Sequence, residues 1–492
     1  MRVFSVLYFK NRLRMLANHI KIELKRISGE ANVSFSLEDL LCYSYDATNT
    51  MYAPDAVVFP QSAEEISLIL KMANSEGFPV IPRGAGTGFS GGSVPVEGGV
   101  VLSTERMKGI IEIDTDNLTA VVEPGVVTWD FQQEVEKLGL FYPPDPTSLK
   151  FSTIGGNIAE CAGGPRAVKY GVTRDYVTGL EVVLPTGEII NTGVRTAKGV
   201  VGYDLTRLIV GSEGTLGVVT KAYLRLLPLP ETVRTMLAVF TDVRDAARAV
   251  SAIIRARIIP STLELIDSVS IKCVEEHARI GLPADAGAVL LIEVDGSEAV
   301  TTMEAEGVKK VCEEHGASVR IASGKEEVGD LWKARRALSA SLYKIKPNKI
   351  NEDVVVPRAK IPALIEGIQT IAGAHGLFIA CFGHAGDGNI HVNVMHDAKD
   401  SVEAAAAKKA VTAVFDLTLR LGGTISGEHG VGTAKAPFIE MELGAVSIDL
   451  MKRVKQAFDP NGVLNPGKIF PKAAMPSVAP HISGVVTGGR VF

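Results

Sequence analysis

Apolar and polar positions recur along this chain with two different periods. In residues 61–77, QSAEEISLILKMANSEG, apolar positions return every three to four residues. That spacing predicts a helix with Ser62 as N-cap, Glu65 completing a capping box and Gly77 as the stop. A short strand, Phe78 to Ile81, follows, then a glycine-rich loop from Arg83 to Gly92. Residues 100–103, 110–113 and 118–122 read as strands, Glu123-Pro124-Gly125 as a turn and 129–139 as a second helix. Another strand spans 180–184, and the turn 185–188 leads to Ile189-Ile190. The pattern shifts after Pro228-Leu229-Pro230. Helices near 242–257 and 300–315 flank an apolar strand at 289–294, and helices return at 327–343, 359–375 and 401–421. Short strands with interspersed helices predict an α+β protein of two lobes. Asp459 to Gly462 is a turn, and the tail after Pro471 has little periodicity.

Length agrees with two lobes, because 492 residues exceed one ordinary core. The net charge of −5 gives no basic excess and excludes a nucleic-acid binder. The five cysteines, Cys42, Cys161, Cys273, Cys312 and Cys381, form no C-x-x-C pair. They argue against a disulfide framework, a zinc ribbon or an iron–sulfur cluster, and for a reducing, cytoplasmic setting. The opening segment MRVFSVLYFKNRLRMLANHI is too short in its apolar part to span a bilayer and lacks signal-peptide order. It reads as a dispensable extension, with Met15 as the natural start. No other stretch reads as transmembrane.

Glycine is the compositional signal that changes the picture, at 49 residues. Consecutive glycines after a strand let backbone N–H groups converge on an anion such as a pyrophosphate. The loop PRGAGTGFSGG has this character, but alone it does not separate a ligand loop from a plain turn. It is neither a G-x-G-x-x-G strand–helix junction nor a P-loop. Two further clusters join it, within PPDPTSLKFSTIGGNIAECAGGPRAVKYG (143–171) and in GSEGTLG (211–217). Three glycine and hydroxyl clusters in one lobe point to one long ligand gripped along its length.

PRGAGTGFSGGSVP, STIGGNIAECAGG and GSEGTLGVVT resemble the FAD-binding lobe of the vanillyl-alcohol oxidase/p-cresol methylhydroxylase flavoprotein superfamily. The resemblance is strongest to its D-lactate dehydrogenase, D-2-hydroxyglutarate dehydrogenase and glycolate oxidase flavoprotein-subunit branch, over residues 43–470. It implies a p-cresol-methylhydroxylase-type FAD-binding domain at 43–229 and an α+β FAD-linked oxidase C-terminal substrate domain at 230–470. Residues 458–470 return to the flavin; 1–42 form an N-terminal extension and helix, and 471–492 a tail. The implied FAD contacts are Arg83, Gly84, Ala85, Gly86, Thr87, Gly88, Pro146, Ser148, Thr153, Gly155, Gly156 and Asn157. Gly163, Gly164, Glu213, Gly214, Val219, Asn465 and Lys468 complete the set. Relatives with covalent flavin use a histidine in the first loop. No histidine lies between His19 and His277, so the FAD is expected to be noncovalent, and Cys161 to be a buried structural residue.

A second constellation lies in the other lobe. In FGHAGDGNIHVNV, Asn389, His391 and Asn393 alternate with Ile390, Val392 and Val394, which predicts a half-buried strand with a polar face. His384 sits before it on a Gly-Asp-Gly turn, with Asp387 as turn former. In SGEHGVG, Glu428 and His429 stand between glycines that can bend the chain to aim both at one cleft. Two histidines and a glutamate form a catalytic zinc-type ligand set with open positions. The resemblance implies the same: His384, His391 and Glu428 as ligands of a divalent metal (zinc, with manganese or iron as alternatives), His429 as catalytic and substrate-binding base, and Asn393 as a substrate contact. Arg335 and Ser339, four apart on one helix face, suit a carboxylate receptor. Arg336 reads as a solvated neighbour. Asn351 stands where relatives acting on D-2-hydroxyglutarate place a lysine, and Lys349 is out of register, which favours D-lactate or glycolate. The expectation is an FAD-dependent 2-hydroxy-acid dehydrogenase. Its electrons leave to a partner: an iron–sulfur subunit, an electron-transfer flavoprotein or a quinone. It is cytoplasmic or held at a membrane by that partner, and a homodimer is compatible with it. The alternatives are a D-2-hydroxyglutarate-type enzyme, a non-redox alkylglycerone-phosphate-synthase-like transferase, against which the absence of adjacent histidines counts, and a non-catalytic subunit.

Overall fold

A computed structural model describes residues 16–278, 282–283 and 285–471. The expectations for the segment before Leu16 and for the tail beyond Pro471 lie outside the described residues. The first lobe holds two larger sheets and a two-stranded one, Leu140–Phe141 with Leu227–Pro228. A four-stranded sheet runs in the order Val33–Ser34, Ala56–Val58, Val100–Ser103, Val80–Arg83, the last three mutually parallel. A five-stranded antiparallel sheet runs Ile110–Asp114, Thr119–Val122, Val218–Arg225, Val177–Val183, Ile189–Gly193. The helix Ala63–Glu76 covers the first sheet through Ile66, Ile69, Leu70 and Ala73. Ser62 caps it by accepting from Glu65 N, and Gly77 ends it at φ 71°. Glu65 does not close the expected capping box; its carboxylate takes the N–H of Gln61, one residue earlier.

The second lobe is one seven-stranded antiparallel sheet. Its order is Ser318–Ile321, Thr232–Phe240, Ala288–Gly296, Thr262–Asp267, Phe378–His384, Asn389–His396, Asn348–Val355. Alternation of side chains decides what each face meets. Leu263, Leu265, Ile379, Cys381, Ile390, Val392 and Val394 face a helical layer made by Val243–Arg255, Glu298–Glu314, Ile361–His375 and Ser401–Arg420. Each fully buried aliphatic side chain there contributes about 1.5–3 kcal/mol. The opposite face packs Ile266, Ala380, Phe382 and Met395 against the helices Ser268–Ala278 and Lys325–Ser341. The same parity puts Glu264, His384, His391, Asn393, Asn351 and Asp353 on that second face.

One expectation needs correction, and one element is new. The strand at 389–396 is buried on both faces rather than half-buried, since one helical layer covers Ile390, Val392 and Val394 and the opposite layer covers Met395. The second glycine cluster contains a helix, Ile154–Glu160, capped by Thr153, which accepts from Gly156 N. Its glycines disguised it: Gly155 packs where a Cβ would meet Pro124 at 2.6 Å.

Candidate active site

One cleft runs between the lobes, lined at one end by all three glycine clusters and at the other by residues of the seven-stranded sheet. Arg83, Gly84, Ala85, Gly86, Thr87, Gly88, Pro146, Ser148, Thr153, Gly155, Gly156, Asn157, Glu213, Gly214 and Val219 are on its wall. Gly163, Gly164, Asn465 and Lys468 are not. Gly163 abuts Glu428, and Gly164 packs on the Asp145 carbonyl at φ 133°. Asn465 braces the wall from behind, donating to the carbonyls of Gly92 and Glu213 at 2.9 and 2.8 Å, while Lys468 donates to Val94 O and Asn465 Oδ1. Close approach explains the first glycine run: a Cβ on Gly84 would stand 2.5 Å from Thr153 Oγ1, and Gly86, at φ 68°, has the Arg83 guanidinium against it. Cys161 is half-buried in a left-handed cap at φ 55°, and burial raises its thiol pKa.

At the other end, three ligand atoms converge. His384 Nε2 and Glu428 Oε1 are 3.3 Å apart, His384 Nε2 and His391 Nε2 3.4 Å, and His391 Nε2 and Glu428 Oε1 3.6 Å. A tetrahedral ion with bonds of about 2.0–2.2 Å requires ligand separations of roughly 3.3–3.6 Å. The donor set and its spacing therefore fit a divalent ion with an open fourth position. Cross-strand register produces the convergence, pairing His384 with Glu264 and His391 with Asp353.

Two buried carboxylates that the sequence reading did not single out organise the rest. Glu264 Oε1 is 2.5 Å from His384 Nδ1, and its Oε2 accepts from Arg335 Nε at 2.5 Å. Burial opposes the Glu264 charge, yet Arg335 and His384 override it and lower its pKa to about 2. Burial likewise opposes charge on His384, but Glu264 and Glu428 raise its pKa well above the usual value. Burial and the neighbouring His384 hold His391 well below it, which leaves its lone pair free. Asp353 Oδ2 accepts the N–H groups of Gly427, Glu428 and His429 at 2.8, 2.6 and 3.0 Å, and Oδ1 pairs with Lys435. These bonds fold the 426–430 segment so that adjacent residues Glu428 and His429 both reach the cleft. His429 Nδ1 lies 3.4 Å from Asp353 Oδ1, and its ring stacks between Phe89 and His391. His429 and the first glycine loop thus touch through Phe89.

Arg335 and Ser339 line the cleft. With Nε held by Glu264, Arg335 keeps a buried Nη2 with no partner, a donor aimed at a missing acceptor. Asn393 is wholly buried and off the wall; its amide donates to the carbonyls of Ala380 and His391. Arg336 is not only a solvated side chain, because it too lines the cleft. Lys349, expected out of register, donates to Ser339 Oγ at 2.5 Å. Asp387 accepts from Asn389 N at 3.3 Å within its turn. The missed partners gave a faint signal: Glu264 interrupts the apolar strand TLELID, and Glu352-Asp353 precedes VVVP.

The comparisons agree with this layout. A family model described as FAD binding domain matches residues 54–193, and one described as FAD linked oxidases, C-terminal domain, matches 229–469. The p-cresol methylhydroxylase structure with substrate bound superposes with a TM-score of 0.77 at 20% identity, over 92% of this chain and 96% of that one. The chain therefore has the two-lobed fold of the FAD-linked oxidases of the vanillyl-alcohol oxidase/p-cresol methylhydroxylase superfamily. It is 49% identical over 462 residues to glycolate oxidase subunit GlcD of Bacillus subtilis (strain 168), spanning 94% of this chain and 98% of that protein. It is 38% identical to D-lactate dehydrogenase of Archaeoglobus fulgidus, spanning 87% and 96%. Within the superfamily it belongs to the branch that holds the GlcD subunits and D-lactate dehydrogenases.

Proposed function

We propose that the protein is an FAD-dependent dehydrogenase that oxidises a small 2-hydroxy acid to the 2-oxo acid, glycolate and D-lactate being the smallest that meet the site's requirements. The observation that carries this reading is the His384, His391 and Glu428 triangle opening onto the same cleft as the glycine loops, with His429 and the unpartnered Arg335 Nη2 beside it. Glycine loops with converging N–H groups suit noncovalent FAD, and the ligand spacing suits zinc, with manganese or iron as alternatives. When bound, the flavin supplies the hydride acceptor and the divalent ion the Lewis acid that weakens the hydroxyl O–H bond. Arg335 Nη2 receives the substrate carboxylate while Glu264 fixes its guanidinium. His429 takes the hydroxyl proton, positioned by Asp353 and clamped between two rings.

Electrons then pass to a partner. The Bacillus relative is named as a subunit, which supports a separate acceptor protein, and an iron–sulfur subunit, an electron-transfer flavoprotein or a quinone all match a two-electron donor of this kind. No helix among the described residues is long and apolar enough to cross a membrane. Anaerobic addition of glycolate or D-lactate to the metal-supplied holoprotein should bleach the flavin. No bleaching by either, nor by D-malate or D-2-hydroxyglutarate, refutes the assignment.

A further inference from the structure

Gly163 and Gly164 belong to a stretch of the first lobe whose contacts lie away from the flavin wall. The chain leaves that wall at Ala162 and is pinned back at Thr173. The N–H and hydroxyl of Thr173 both donate to the Ala162 carbonyl, at 3.0 and 2.7 Å. Residues 163–172 are thereby an arm closed at its neck, and the Tyr176 hydroxyl braces it by donating to the Tyr170 carbonyl at 2.8 Å. The arm ends on the second lobe. Lys169 Nζ donates to Asp295 Oδ1 and to the Asp295 carbonyl at 2.5 and 2.7 Å, and the Tyr170 hydroxyl donates to Asp295 Oδ2 at 2.8 Å. Asp295 stands on the strand Ala288–Gly296 with its side chain 5% exposed. Both of its carboxylate oxygens are taken by this one arm.

The rest of the arm lies against the two segments that carry the metal ligands. Gly386 sits in the turn between His384 and Asn389, and a Cβ there would stand 2.6 Å from Val168 Cγ2. Val168 thus packs directly on the backbone of the turn. Gly163 abuts the other segment: a Cβ on it would stand 2.9 Å from Glu428 Oε2, while Oε1 of the same carboxylate faces the two histidines. Both segments are rich in glycine, with Gly383, Gly386 and Gly388 around the turn and Gly427 and Gly430 around Glu428. Such backbone has the most freedom to lose, whereas a metal site needs its distances held to about 0.2 Å. Glu264 and Asp353 restrain His384 and the 426–430 segment from within the second lobe. The arm restrains the turn and Glu428 from the first.

We propose that residues 163–170 are a positioning element of the metal centre supplied by the flavin lobe. Lys169 and Tyr170 anchor the element on Asp295, and Val168 and Gly163 hold the Gly386 turn and Glu428 at ion-binding spacing. This rests on the metal-assisted reading of the site. The metal centre is then completed across the lobes, although all three of its ligands come from one of them. Asp295, Lys169, Tyr170 and Val168 touch neither substrate nor ion and act through the backbone that bears the ligands.

The test measures two affinities on the same samples. Zinc affinity of the FAD-loaded protein is read by competition with a chromogenic chelator, and FAD affinity by flavin fluorescence. V168A and the anchor variants D295N and K169M/Y170F should each weaken zinc binding about 10- to 100-fold, the usual cost of losing an outer partner of a metal site. FAD affinity should stay at the wild-type value. K169R, which keeps the ion pair, should stay near wild type in both. Excess zinc should restore flavin bleaching to V168A and D295N, a recovery that a misfolded variant does not show. Unchanged zinc affinity in V168A and the anchor variants overturns the proposal, and so does FAD affinity that falls in step with zinc affinity. A wild-type protein that takes up no divalent ion overturns the metal reading and this proposal together. Zinc uptake without bleaching by any hydroxy acid overturns the dehydrogenase reading alone, and the zinc ratios still decide the role of the arm.

Discussion

The two ends of the cleft are built from opposite materials. The flavin end is made of backbone. Its glycines bring N–H groups and peptide planes against a ligand, with Asp46, Arg83, Glu160 and Glu213 set among them. The substrate end is made of side chains: Glu264, Arg335, His384, Glu428, Asp353 and Lys435 form buried charges that neutralise one another in pairs. A backbone site recognises shape and tolerates little added volume. A side-chain site holds its reacting groups by electrostatics and tolerates little change of charge. The two should fail in different ways when altered.

The largest effect is expected from the charged end. His429→Ala should lower the rate of substrate-driven flavin reduction roughly 10²- to 10⁴-fold, the range for losing a general base. FAD content should stay at the wild-type level, because the glycine loops keep their backbone and His429 meets them only through the Phe89 ring. Chelation of the metal should give the same signature, with loss of bleaching by hydroxy acid, retained flavin, and recovery on adding a divalent ion back. Release of FAD on chelation, measured by ultrafiltration, would merge the two ends into one and break the comparison.

Asp353→Asn comes next and separates charge from shape at nearly constant volume. The change leaves Lys435 buried beside an amide and turns an N–H toward donors that Asp353 now accepts from. Breaking a buried pair in this way costs about 3–5 kcal/mol, read as a fall in the urea midpoint at constant slope. Glu428 and His429 should lose their joint aim, so metal content falls with stability. A variant with wild-type stability and metal content would show that the 426–430 segment holds its own shape.

The contrast between the ends also explains what was legible in the sequence. The glycine clusters could be read because each is contiguous, as PRGAGTG and GSEGTLG are. The grouping of His384, His391 and Glu428 was legible because they fall in two compact motifs, GHAGDGNIH and SGEH. The charges that orient them were not. Glu264 reaches His384 across 120 positions, and Asp353 reaches His429 across 76. Their roles exist only once strand register sets Glu264 opposite His384 and Asp353 opposite His391. The helix Ile154–Glu160 was hidden because it carries two glycines of weak helix propensity, of which Gly155 sits there for close packing against Pro124.

A third change acts on the backbone end. Gly84→Ala places a methyl 2.5 Å from Thr153 Oγ1 and 3.6 Å from Gly156 N, inside the flavin wall. Overpacking of this kind costs about 1–3 kcal/mol. The loss should appear as weaker FAD retention, with the metal triangle intact in zinc content. Reduced metal binding with normal FAD affinity would be the reverse of what a shape-built end predicts.

The smallest effect tests that reading most closely, because it concerns a single hydroxyl. Thr153 caps the helix Ile154–Glu160 by accepting from Gly156 N at 3.3 Å. Thr153→Ala should cost about 1 kcal/mol of stability, the usual loss for an N-cap, with a modest drop in FAD affinity. The same Oγ1 is what a methyl on residue 84 would strike. Removing it should therefore relieve Gly84→Ala, and the double variant should be less impaired than the two single losses added together. The coupling should reach about 0.5–1 kcal/mol in a double-mutant cycle on FAD binding. Strict additivity would mean that the methyl is accommodated by movement of the 83–88 loop instead. The flavin end would then owe its fit to a flexible loop, and its difference from the rigid charged end would be one of stiffness as well as of material.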